Sequence, residues 1–268
     1  MYDNFEKFML NTLSVINDMN KRMEFTEEDI EEGKKELEDV IIRMRKREIP
    51  ESYPDIVNVP SYLFYNNSNI TTIFEYRDMV VEAGSYSLVS YDWIRLLKEK
   101  IIKDGKCLEI MAGSGMLSKA LKDVGVDIIT TDDKSWLSEE YTYLSFEDWF
   151  MRPFTEVEKL DCVDAIQKYG KDVDYVLVSW PYMNNACYKA LVTMRSVNPN
   201  CTMIYIGELG DACADDDFVE TSKVLLHNGL LDGKEEIANG QELYNDLEEV
   251  RKLFKSWNGI HDDIYIIK

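Results

Sequence analysis

Histidine is almost missing from this chain: His227 and His261 are the only two among 268 residues. Catalysis by a Ser-His or Cys-His pair therefore has little to draw on. Cysteine is also sparse. The five present, Cys107, Cys162, Cys187, Cys201 and Cys213, are odd in number and form no C-x-x-C pair, so no zinc spacing exists. Several sit in apolar, strand-like runs, where cysteine acts as a small hydrophobe. No stretch of 18 apolar residues occurs, which excludes a spanning helix. The opening "MYDNFEKF" lacks the basic and apolar regions of a signal peptide. A reducing cytoplasm fits these absences. Positive charge is in short supply too. Lys and Arg total 30 against 51 Asp and Glu, a formal net charge of −21. Such a surface repels phosphate backbones, so duplex nucleic acid is not the expected partner. The densest positive run, "IIRMRKR" at 41–47, lies within an acidic helix pattern and is expected to be a solvated helix face.

What is present supports a sizeable core, since 45% of the residues are hydrophobic. The length suits one large domain or one domain with an appendage. Residues 1–48 carry apolar positions at helical spacing in two blocks: Phe5, Phe8, Met9, Leu13, Ile16 and Met19, then Ile30, Leu37, Ile41 and Met44. Thr26, followed by acids, has the form of a helix start, and Pro50 and Pro54 end the second block. A helical hairpin is expected there. Residues 50–85 are aromatic and punctuated by Asn and Pro, an irregular stretch. After Ser90, a candidate helix cap, the pattern alternates. Strands are expected at 106–111, 126–131, 174–179 and 202–206, with helices near 115–124, 162–169, 184–194 and 216–227. "DDIYIIK" supplies a late strand. Such alternation implies a parallel sheet covered by helices on both faces, an α/β fold. The division expected is a helical and aromatic extension over 1–85 and the α/β domain over 86–268.

The most informative segment is "CLEIMAGSGMLSKALKDVGVDIITTDD", Cys107 to Asp133. It is strand, glycine loop, helix, strand, then acid. Such a loop offers backbone N–H groups and a helix start to a ligand. Gly113 and Gly115 allow close approach of backbone. A dinucleotide binder would carry a third glycine, but Met116, Leu117 and Ser118 follow instead. Glu109 places a carboxylate within the strand, costly to bury unless a donor meets it.

These residues resemble the first motif of the class I S-adenosylmethionine-dependent methyltransferases. The match runs from Glu109 through Met111, where a glycine usually stands, and Ala112 to Gly113 and Gly115. The resemblance implies a Rossmann-like sheet that binds S-adenosyl-L-methionine. It implies ribose contacts for Asp132, with Asp133 the neighbouring candidate, and an adenine contact for Asp164 in "CVDAI". "SWPY", Ser179 to Tyr182, resembles the D/N-P-P-Y stretch of amino-methylating members. There Ser179 replaces the acid or amide and Trp180 the first proline, with Pro181 and Tyr182 retained. An amine acceptor, small molecule or protein, is thereby suggested. In "GELGDACADDDF", the acids at 215–217 suit a helix cap; Glu208 is a candidate amine ligand or base, and a divalent metal is a lesser alternative. Two other classes stay open: a cofactor-binding or scaffold protein without transfer, and a nucleotide-dependent oxidoreductase. The oligomeric state is open as well.

Overall fold

The computed structural model describes residues 25–60, 73–138, 144–210, 212–222 and 237–268. The first block of the expected hairpin lies outside them. Six strands form one sheet in the order β3-β2-β1-β4-β5-β6. They are β1 Cys107–Glu109, β2 Ile128–Asp132, β3 Glu158–Lys159, β4 Tyr175–Ser179, β5 Thr202–Gly207 and β6 Asp263–Ile267. All pair in parallel except β6, which runs antiparallel to β5. Helices Met116–Asp123, Cys162–Tyr169 and Ala186–Val197 connect the parallel strands. This is a Rossmann-like α/β fold with helices on both faces.

The side-chain period of a strand explains why both faces are covered. In β4, Val176 and Val178 enter one apolar cluster and Leu177 the other. In β5, Met203 and Tyr205 part from Ile204 and Ile206 in the same way. These two strands are therefore apolar on both sides, as buried parallel strands are. The cluster holding Val176 takes in the helices Cys162–Tyr169 and Ala186–Val197. The opposite cluster includes Leu121, Trp93, Val250 and residues from the first 85 positions, Leu37, Met44, Tyr53 and Val80 among them. The N-terminal extension and the sheet thus share one core.

Several elements depart from the sequence expectation, the short strand Glu158–Lys159 and the helix Glu147–Met151 among them. The stretch 50–85 contains the helix Ile73–Ala83, which buries Ile73, Tyr76, Val80, Val81 and Ala83. Asn and Pro punctuate that stretch only as far as Asn69; from Ile73 on it carries apolar residues at steps of three and four. The helix Ile237–Arg251 is also additional. Ser90 does occupy an N-cap, but its hydroxyl donates to Asp92 Oδ1 at 2.6 Å instead of serving the helix backbone. Thr26 forms a full capping box with Asp29. All five cysteines are free and buried. No described helix is long and apolar enough to cross a membrane.

The basic run 41–47 is solvated at Arg43 and Arg45, but Arg47 is not. Arg47 stands in left-handed backbone, φ 65°, and its guanidinium reaches three segments. It donates to Ala83 O at 2.8 Å, Asp148 O at 2.8 Å and Arg152 O. It also packs over the Phe154 ring, 4.9 Å from the centroid. Planar forked donors suit this job and an ammonium does not. We expect Arg47→Ala to lower unfolding free energy by about 2–4 kcal/mol, because three carbonyls lose a charged donor. Arg47→Lys should recover less than half of the loss. Urea unfolding of both variants measures this; a change within about 0.5 kcal/mol for Arg47→Ala would show the staple to be dispensable.

Candidate functional site

Open α/β sheets bind ligands beyond the carboxyl ends of their strands, where the strand order reverses. Here the reversal lies between β1 and β4, and a cleft opens there. It encloses about 1090 Å³, including its mouth, between the glycine loop, the end of β2, the segment Gly84–Tyr86 and the stretch Ser179–Tyr182. The loop after β1 turns through three left-handed residues: Met111 at φ 53°, Gly113 at 53° and Gly115 at 73°. Met111 thus adopts the backbone that glycine would take, at a steric cost. At Gly113 a side chain is excluded outright, since a Cβ would meet Trp149 at 2.6 Å. Across the cleft Trp180 is also left-handed, φ 49°. Such departures concentrate at functional sites.

Two buried carboxylates hold the loop. Glu109 accepts from Ser118 N at 3.0 Å and from the Ser118 hydroxyl. It thereby caps the helix Met116–Asp123 from within the sheet. Burial pushes its carboxyl up to about 7, and the Ser118 donors offset only part of that rise. Asp132 accepts from Gly113 N at 2.8 Å, Lys134 N at 2.6 Å and the Trp136 indole at 2.9 Å. Burial raises its carboxyl too, against the pull of those donors. Both carboxylates line the cleft but are engaged by the protein itself. Asp133 is exposed at the cleft and accepts from Ser135 N at 2.8 Å.

The other expected residues divide. Met111, Ala112, Gly113, Ser179, Trp180, Pro181 and Tyr182 all line the cleft. Gly115 lies just behind, against Thr155 and Val157. Asp164 is exposed on its helix and does not line the cleft; Asp161, which caps that helix by accepting from Val163 N at 2.8 Å, does. Glu208 is buried away from the cleft, and its carboxylate accepts from His261 N at 2.7 Å. Asp215 caps residues 216–222 through Phe218 N at 2.9 Å. No metal-ligand cluster occurs among the described residues.

Four aromatic walls were not anticipated from sequence: Tyr86, Trp136, Phe146 and Trp149. Phe146 and Trp149 lie 4.8 Å apart, and Trp136 stands edge-on to both at 5.9 Å. Tyr86 stacks on Trp180 at 5.6 Å with an 18° interplanar angle. The Trp180 indole donates to Asp262 at 3.0 Å, and Asp262 in turn accepts from Ser256. Trp180, in the place of a proline, is therefore fixed on its edge and on its face. Trp149 donates to Val81 O at 3.0 Å, tying the loop's partner to the helix Ile73–Ala83. Isolated aromatics at 86, 136, 146 and 149 carry no motif, which is why they escape a linear reading.

The raised Glu109 carboxyl makes stability depend on pH. Its folded value exceeds the unfolded one, so the folded state holds its proton longer. Stability from this group is full below about pH 4.5 and falls as pH rises through about 7. That span corresponds to roughly 3 kcal/mol. Glu109→Gln mimics the protonated acid and should remove the slope, gaining on the wild type by about this amount between pH 4.5 and 8. Urea denaturation of both proteins across that range measures it; parallel curves would mean the carboxylate is not desolvated.

No family model matches the sequence, and no curated protein matches it. Among solved structures, the chain is similar to coclaurine N-methyltransferase bound to N-methylheliamine and SAH. Identity is 15% and the TM-score 0.28, over 93% of this chain and 79% of that one. So faint a likeness says nothing of this chain's chemistry; the Rossmann-like fold stands on its own strand order, and its ligand site on the cleft at the β1–β4 reversal.

Proposed function

We propose that this chain is an S-adenosylmethionine-dependent methyltransferase. The observation that carries the reading is the left-handed loop Met111–Gly115, braced by Asp132 at the reversal point and facing Ser179–Tyr182. The loop's close backbone suits the amino acid part of the cofactor. Asp133, exposed beside the braced Asp132, suits the ribose diol. Asp161 replaces Asp164 as the acid within reach of an adenine amino group. The indole and phenyl faces suit both the adenine plane and the sulfonium, a cation–π contact worth about 0.5–2 kcal/mol. A nucleotide-dependent oxidoreductase fits less well, because large side chains follow Gly115 where a dinucleotide needs glycine.

Methyl transfer asks mainly for alignment. The sulfonium is a good leaving group, so holding the acceptor in line supplies most of the rate. Trp180, fixed by Asp262 and Tyr86, and Tyr182 at the mouth would form the wall that sets this line. Ser179, whose hydroxyl is paired with Ser87 at 2.9 Å, can offer one hydrogen bond to the acceptor. The second reading, binding without transfer, draws on the same observation that Trp180 is already engaged on both edge and face.

Calorimetry and turnover separate these. S-adenosylmethionine or its demethylated product should bind at micromolar strength, about −8 kcal/mol. Asp133→Ala should weaken binding by about 1.5–3 kcal/mol without lowering the melting temperature. Asp132→Ala should weaken binding and also lower the melting temperature, since three donors lose their acceptor. Tyr182→Ala should cut turnover far more than cofactor affinity, because positioning acts on the transition state. Absence of heat with either ligand, together with binding of NAD, would overturn the methyltransferase reading.

A further inference from the structure

Three hydroxyls link two sides of the cleft and pair with one another. Ser85 Oγ lies 3.2 Å from Ser87 Oγ, and Ser87 Oγ lies 2.9 Å from Ser179 Oγ. Ser85 and Ser179 line the cleft, while Ser87 between them is fully buried. Ser179 ends β4. Ser85 follows Gly84, whose carbonyl accepts from the Ser114 hydroxyl of the glycine loop. Each hydroxyl has one proton to donate and two lone pairs. Two of the protons serve the internal bonds. Whichever way the chain runs, one end therefore offers the cleft a donor and the other end only an acceptor. Several other donors in the lining are committed to protein. The indoles of Trp136, Trp149 and Trp180 serve Asp132, Val81 O and Asp262. None of the described lining residues is Lys, Arg or His.

Resting on the S-adenosylmethionine reading, we propose that this serine chain holds the zwitterionic amino acid end of the cofactor. Ser85, on the side of the glycine loop, donates to the carboxylate. Ser179, two hydrogen bonds away, accepts from the ammonium. An α-amino acid matches such a chain, because its carboxylate only accepts and its ammonium only donates. Ser87 touches neither group and is a positioning residue. Ser179 donates to Ser87, Ser87 to Ser85, and Ser85 to the carboxylate. The anion at one end thus turns the lone pairs of Ser179 toward the cation at the other, each bond polarising the next. Ser179 keeps its second lone pair for the methyl acceptor.

The test compares S-adenosylhomocysteine with methylthioadenosine, which shares its nucleoside and thioether and lacks the amino acid. Both are titrated into the full chain by calorimetry, for the wild type, Ser87→Ala and Ser85→Ala, and the melting temperature of each protein is read. The wild type should bind S-adenosylhomocysteine at least about tenfold more tightly. Each variant should bind it about threefold to tenfold more weakly than the wild type does, and methylthioadenosine less than about twofold more weakly. A merely structural role for Ser87 would weaken both ligands alike. That result would overturn the inference, as would equal wild-type affinity for the two ligands, and either leaves the cofactor reading intact. Should Ser87→Ala fail to fold, Ser85→Ala, at a partly exposed position, carries the same comparison. Binding of neither ligand would remove the cofactor reading and this inference with it.

Discussion

The carboxylate of Glu109 sits at the end of β1, buried, with the backbone and hydroxyl of Ser118 as its donors. Much follows from that one contact. A carboxylate inside a sheet is costly unless donors meet it, and the donors available are those of the helix that begins at Met116. Fixing the helix start to the strand end leaves the intervening loop little freedom. It closes through left-handed turns at Met111, Gly113 and Gly115, and its Gly113 N–H points at Asp132 on β2. Two buried acids, on neighbouring strands, thus hold one loop in a conformation that its sequence alone would not favour.

The opposite wall is held by different means. The stretch after β4 turns left-handed at Trp180, an unfavourable place for a large side chain. The ring is retained there by Asp262 from the segment before β6 and by stacking with Tyr86, just after the N-terminal extension. Trp149 seats on Gly113 and hydrogen-bonds the end of the helix Ile73–Ala83. Arg47 ties that same helix end to the segment carrying Trp149. The extension is therefore part of the cleft's construction, and the core that supports it is continuous with the sheet. What results is a concave site with aromatic walls and four acids along its lining.

The linear sequence was sufficient for most of the α/β frame, and the reason is physical. Strands buried on both faces are mostly apolar, and such runs starting at 175 and 202, with shorter apolar starts at 107 and 128, are visible without coordinates. Helix 162–169 follows from its own amphipathic period and cap. The glycine loop was legible because only glycine fits against Trp149 at position 113, and such a constraint leaves its mark in one residue. By contrast, the helix Ile73–Ala83 was hidden behind an Asn-rich stretch, and the short strand Glu158–Lys159 is too brief to leave a period.

Charge and spacing showed that Asp132 and Asp133 end a strand. Only the tertiary structure decided which of the two is consumed, since Asp132 is claimed by Gly113, Lys134 and Trp136 while Asp133 stays exposed. Likewise Asp164 in "CVDAI" is turned outward on its helix, off the cleft, while Asp161, the cap of that helix, lines it. Glu208 looked available in the chain and is buried against His261 N. The aromatic walls come from positions 86, 136, 146 and 149, brought together by three separate segments. Local preferences and apolar periods act over a few residues and are written in sequence. Which donor claims a carboxylate, and which rings share a wall, depends on contacts between distant segments, and those exist only once the chain has folded.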